Sequence, residues 1–427
     1  MMFGASALVH TPDRRPMPLI RKPRALDWRR HPVVVLESDD WGQCEAPLPD
    51  AAVTGRRHSV LETPDELRQL YALLERHRDT GGQPAVVTAF VCVGNPDFDA
   101  MTAEGFARYV DIGIDRGTPQ GLDHGADIAA IWREGMRRGV FAPEYHSNLH
   151  HTGPVPLLEL LRADDAQGEQ ARARFKNRTY SQGRHLPEYE SMTPQEALHW
   201  IQTGVERFTR AVGYAPAAAV NSDAYPQIET LWALSGIRIV SLKASRVNTG
   251  AIVLFGTKPW NHQDSSVPMG AYDLVNRLVY LWRNVFFECG IPSPQATDSA
   301  AEARRVIQAC WDRNEPAVIS MHRSFVAGDH GAQGRMELDR LLGMLSGVEG
   351  LRFLSSREVG DLYGRGWCLR EFGPTRVLRK WDDAAAPLTL AGHGQAAVDL
   401  ATGRKYALRF DGPRVTTELP CGDYRLE

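Results

Sequence analysis

The chain has 427 residues, 43% hydrophobic and 24% charged, close to the averages of soluble globular proteins and far from a disordered composition. Lys+Arg at 49 against Asp+Glu at 52 leaves a net charge of -3, which gives no global electrostatic reason to seek nucleic acid or an anionic membrane. No apolar run approaches the roughly 18 residues of a membrane span. The six cysteines (Cys44, Cys92, Cys289, Cys310, Cys368, Cys421) are scattered without a CxxC pair, which argues against a zinc ribbon or a disulfide framework.

Residues 1–30 form a basic arm carrying Arg14, Arg15, Arg21, Lys22, Arg24, Arg29 and Arg30. It lacks the apolar stretch and cleavage site of a secretory signal, so a cytoplasmic location is expected. Val33–Leu36 is a short β-branched run, the pattern of a strand buried on both faces. Thr63–His77 reads as a helix with Thr63 at the N-cap and Glu66 completing a capping box. Ala85–Val93 is a second strand, Ala126–Arg138 a helix, Phe141–Tyr145 a strand and Val155–Arg162 a helix. The polar stretch from Asp164 to Ser191 reads as an insertion or lid. Helices are then expected at Thr193–Val212, Gln227–Ser235, Val275–Phe287, Ser299–Arg313, Arg335–Leu345 and Ser356–Leu362. Strands are expected at Ala217–Val220, Arg238–Leu242, Ala251–Phe255, Ala317–Met321 and Leu351–Leu354. Such alternation predicts an α/β fold with parallel strands under helices, over residues 31–371. From about Phe372 short strands separated by Gly, Asp and Pro turns predict a small all-β module, residues 372–427.

Three clusters could carry chemistry, each directly after a predicted strand. Glu37-Ser38-Asp39-Asp40-Trp41-Gly42 places adjacent carboxylates where burial is costly unless a cation or hydrogen bonds offset them. Side chains alternate along a strand, so both carboxylates reach one site only where the strand gives way to a loop. A bare Asp-Asp pair also occurs in solvated turns. His146-Ser147-Asn148-Leu149-His150-His151 is a dense histidine cluster, and two imidazoles with one carboxylate leave a coordination position open on zinc. His151 could replace His150 if the loop bends. His322 closes a late strand on the face where parallel barrels place their sites, with Asp264 in Pro259–Asp264 available to orient it. Trp41 and Trp260 are candidates for lining the site. Together the clusters fit metal-assisted hydrolysis.

Ser38-Asp39-Asp40 resembles the T-F-D-D motif of the polysaccharide deacetylase superfamily. His146-Ser147-Asn148-Leu149-His150 matches its H-[S/T]-x-x-H motif at every fixed position, and Ser320-Met321-His322 is similar to its L-x-H motif. The resemblance covers roughly residues 30–365 and implies a distorted (β/α) barrel of about seven strands. It also implies one divalent ion, Zn2+ first among candidates, on Asp40, His146 and His150, with Asp39 as general base and His322 as general acid. The substrate implied is an N- or O-acetylated carbohydrate. The family's R-x-P-Y motif, whose arginine orients the base, is not reproduced in Ala219–Pro226. Asn221 and Tyr225 are the residues there that could substitute. A non-catalytic glycan-binding member of the fold, or an amide hydrolase acting on a non-sugar C–N bond, are the alternatives.

Overall fold

Val33–Val34–Val35–Leu36 opens β1 (Val33–Trp41), and its side chains are buried on both faces, as a continuous aliphatic run in a covered parallel sheet requires. The structure, a computed structural model, describes residues 20–44, 61–118, 127–150, 153–179, 188–189, 191–220, 228–246, 252–254, 267–288, 299–328, 331–390 and 395–427. Six further strands line up with β1: β2 (Val87–Cys92), β3 (Phe141–Ser147), β4 (Ala218–Val220), β5 (Ile239–Arg246), β6 (Leu278–Arg283) and β7 (Ala317–His322). Neighbours pair in parallel from β1 to β6, and β7 pairs with β1. The ring closes through Asn284. Beyond it the chain resumes as Val285–Phe286, which pairs with β7. Asn284 completes the ladder with its side chain, accepting from the Val318 N–H at 2.8 Å and donating to the Pro316 carbonyl at 3.0 Å.

The result is the α/β barrel expected from the sequence: these seven strands run parallel, and the two-residue strand Arg352–Phe353 adds a further parallel partner at the start of β1. Helices follow most strands and pack their apolar faces on the barrel. Capping boxes start three of them: Thr63 with Glu66 before Pro64–Arg76, Thr193 with Glu196 before Pro194–Val212, and Ser355 with Glu358 before Ser356–Arg365.

Three stretches differ from the sequence expectation. Residues 275–287 form β6 and its continuation rather than a helix. Leu278–Arg283 is buried at every position, and so long an apolar run reads equally as a buried helix until the partner strands are known. β1 does not stop at Leu36 but runs to Trp41, so both aspartates belong to the strand. Within 164–191, Ala166–Lys176 is a helix that buries Ala171 and Phe175.

The antiparallel C-terminal sheet runs Trp367–Phe372, Thr375–Lys380, Gly422–Leu426, Ala396–Asp399, Lys405–Ala407, in that spatial order. It has its own core around Trp367, Leu378, Leu388 and Tyr424. It meets the barrel at the N-terminal ends of the strands. A Cβ on Gly139, just before β3, would lie 2.7 Å from the Phe372 ring, and Arg352 Nε reaches the Asp423 carboxylate at 2.8 Å. No helix among the described residues is long and apolar enough to cross a membrane.

Glu358 is the hub of this junction. Its carboxylate accepts from Arg370 Nη2 at 2.7 Å and Arg379 Nη1 at 3.0 Å. Burial pushes its pKa up, but the two guanidinium charges outweigh burial and hold it below the ordinary value. A depressed carboxylate stabilises the fold above its unfolded pKa of about 4.5 and loses that contribution as pH falls through the folded value. Glu358→Ala should cost about 3–5 kcal/mol in urea unfolding at neutral pH, because two buried cations lose their partner. The gap to wild type should narrow in acid.

Candidate metal centre

Two extra residues in the strands shape the site. Between β1 and β2 the register passes from Ser38↔Ala89 to Trp41↔Val91, so β1 holds one residue more than its partner at Asp39–Asp40. Between β2 and β3 it passes from Val91↔Tyr145 to Cys92↔Ser147, and the additional residue is His146. Bulges of this kind re-aim a side chain that strict alternation would send to the other face. Asp40 has φ of 71° and His150 φ of 64°, left-handed conformations that non-glycine residues rarely adopt.

The bulges and the turn after β3 bring Asp40, His146 and His150 together. Asp40 Oδ1 lies 3.4 Å from His146 Nε2 and 2.8 Å from His150 Nε2, and one donor atom from each residue falls within 4.8 Å of the others. Metal–ligand bonds of about 2.0–2.2 Å place tetrahedral ligand atoms roughly 3.4 Å apart, so this donor set fits one divalent ion. Both imidazoles are buried, whereas the Asp40 side chain keeps 19% exposure. Burial alone would raise the Asp40 pKa. The His150 charge, followed by the hydrogen bonds from His146 and His150, holds it well below the usual carboxylate range.

Asp39 faces the barrel interior and is wholly buried. Arg283, at the end of β6, grips it with two donors, Nη2 to Oδ1 at 2.6 Å and Nη1 to Oδ2 at 2.7 Å. The same guanidinium donates through Nε to Glu37 Oε2 at 2.6 Å and through Nη1 to Ser320 Oγ at 3.2 Å. Glu37 in turn accepts from the Ser241 and Ser356 hydroxyls, each at 2.6 Å. Burial works against the Arg283 charge, yet Asp39 and Glu37 outweigh it and raise its pKa. This is the contact that the family resemblance assigns to an arginine within Ala219–Pro226. Here it comes from β6, in a segment read from sequence as a helix.

His322 lies opposite Asp39 in the β7–β1 register, with Nε2 3.9 Å from Asp39 Oδ2. Its Nδ1 contacts the Glu288 carboxylate. Glu288 therefore does what was expected of Asp264, which lies outside the described residues, as do Asn221, Tyr225, His151 and Trp260. Trp41 is wholly buried and packs edge-on against Phe141, ring centroids 5.2 Å apart, so it offers no face to a sugar. Five candidates thus converge: Asp39, Asp40, His146, His150 and His322. Arg283, Glu37 and Glu288 were missed. A fully apolar strand interrupted by one arginine, beginning Leu278-Val279-Tyr280-Leu281-Trp282-Arg283, was the available signal.

No protein-family model and no curated protein matches the sequence. The chain resembles polysaccharide deacetylases of known structure. One, from Mycobacterium smegmatis and described as a polysaccharide deacetylase, is 12% identical, with 81% of this chain and 94% of that one covered and a TM-score of 0.39. A GH57 branching enzyme from Thermococcus kodakaraensis is similarly placed at 12% identity, 76% and 70% coverage and TM-score 0.39. The Puue allantoinase follows at 9% identity, 78% and 90% coverage and TM-score 0.38.

Elemental analysis should find about one divalent ion per wild-type chain and none in His146→Ala/His150→Ala, since the open site has only three protein ligands. Arg283→Met leaves two buried carboxylates without their cation and should destabilise the fold by about 3–5 kcal/mol in denaturant unfolding.

Proposed function

We propose that this chain is a metal-dependent hydrolase that removes acetyl groups from an N- or O-acetylated carbohydrate. The observation that carries the reading is the juxtaposition, at one end of one barrel, of a three-donor metal set with a separately held carboxylate and a carboxylate-backed histidine. Asp40, His146 and His150 would hold the ion, zinc being the metal that best suits two imidazoles and one carboxylate. When bound, the ion supplies Lewis acidity, making water a stronger nucleophile and polarising the acetyl carbonyl.

The chain's own residues do the rest. Asp39 takes the proton from the attacking water as the new C–O bond forms. Its two-point grip by Arg283 fixes the orientation of the carboxylate. Glu288 on Nδ1 orients the His322 ring so that Nε2 faces the site. His322 delivers a proton to the departing nitrogen or oxygen as the bond to the acetyl carbon breaks. Acetate and the free amine or alcohol result. The acetylated-sugar substrate follows from the motif resemblance of Ser38–Asp40, His146–His150 and Ser320–His322.

A panel of acetylated mono- and oligosaccharides, assayed for released acetate, tests the reading. Asp39→Asn should lose about 10²–10⁴-fold in kcat while still binding one metal ion, the range expected for a lost general base. His322→Ala should fall similarly on amides, and less on esters, whose leaving group needs protonation less. Full activity in Asp39→Asn would remove Asp39 from the base role.

A further inference from the structure

His146 is the last residue but one of β3 and His150 lies one tight turn later, so both imidazoles reach Asp40 only if residues 147–150 fold back sharply. They do so with His150 in the left-handed region, a conformation costing on the order of 1–3 kcal/mol that the surroundings must over-determine. The hydrogen bonds of this turn show what holds it. On one side, the Val93 N–H donates to the Ser147 carbonyl at 3.0 Å and the Gly94 N–H to the Asn148 carbonyl at 2.9 Å, fastening the turn to the chain after β2. On the other side, the Asn148 and Leu149 N–H groups both donate to one oxygen, Glu188 Oε1, at 2.8 and 3.0 Å.

Glu188 is fully buried, and the Trp200 indole N–H donates to the same Oε1 at 2.9 Å. Trp200 belongs to the helix Pro194–Val212, whose carbonyl at Trp200 also accepts from Asn148 Nδ2 at 2.8 Å. That helix comes very close: a Cβ on Gly204 would sit 2.2 Å from Asn148 Oδ1. Burying a carboxylate to satisfy two backbone donors is expensive unless the geometry it imposes is needed. The turn it clamps is the one that joins the two histidine ligands.

We propose that Glu188 is a positioning residue for the metal centre, its carboxylate setting the 147–150 turn so that His146 and His150 already converge before an ion binds. This rests on the reading that Asp40, His146 and His150 hold a metal. Glu188 belongs to the polar stretch 164–191, beyond the helix Ala166–Lys176.

The test uses the full chain stripped of metal, with Zn2+ titrated against a competing chelator, and hydrogen exchange measured on the peptide holding Asn148 and Leu149. Glu188→Ala should weaken zinc binding about 10–100-fold, the usual effect of losing an outer-shell partner, and speed exchange of that peptide. Glu188→Gln keeps an acceptor at Oε1 and should restore most of both, which a general loss of stability would not predict. Glu188→Asp, which withdraws the oxygen by one methylene, should fall between them and serves if the alanine variant does not fold. Unchanged zinc affinity and unchanged exchange in Glu188→Ala would overturn the proposal, as would a glutamine variant as impaired as alanine. If the wild type takes up no zinc, the metal reading fails, and the exchange arm alone decides whether Glu188 sets the turn.

Discussion

Arg283 stands inside the barrel at zero exposure with a carboxylate on either side, and the arrangement around it governs both the fold and the chemistry. Glu37 and Asp39, two residues apart on β1, point into the barrel where an uncompensated pair of charges would not remain buried. The guanidinium from β6 answers both, while hydroxyls from β5, β7 and the helix Ser356–Arg365 complete the hydrogen bonding. Strands far apart in sequence are thereby tied to one planar group. Asp39 becomes a carboxylate with a fixed orientation, 3.9 Å from His322 Nε2. A lysine could supply the charge but not the fork that holds Asp39 at two points and Glu37 at a third.

Around that rigid centre the candidate metal ligands occupy irregular backbone. Asp40 and His146 each sit at an extra residue in a parallel ladder, and His150 sits in a left-handed turn. Regular strands would have sent Asp39 and Asp40 to opposite faces. Such departures cost energy locally, and the regular hydrogen bonding of the neighbouring strands, together with buried groups such as Glu188, supports them. These departures lie at the C-terminal ends of β1 and β3, and the opposite end of the barrel faces the C-terminal sheet. There the C-terminal sheet closes over the starts of β1 and β3 through Glu358, Arg370, Arg379 and Asp423, away from the candidate metal centre.

Most of the barrel was legible because its signals are local. A short β-branched run, a capping residue three positions before an acidic partner, and glycine after a helix act within a few residues of themselves. The predicted helix at 275–287 failed for the reason that makes β6 important. A strand buried on both faces carries no alternation, and Leu278–Trp282 offers no periodicity with which to tell strand from helix. The candidate donor set was readable for a related reason, since His146 and His150 share one turn and Asp39 and Asp40 are adjacent.

By itself the sequence determined the alternation of strands and helices, the small β module at the end of the chain, and the side chains with metal-site chemistry. Each of these depends on neighbours along the chain. Tertiary structure alone decided that Arg283 would hold Asp39, that Glu288 would stand behind His322, and that Glu188 would brace the histidine turn. Those partners are brought together only when β6 closes the ring and the segment before Thr193 folds back onto β3. Which charge meets which in a buried interior is set by strand order and register. A linear pattern of residue types does not encode that choice at any one position.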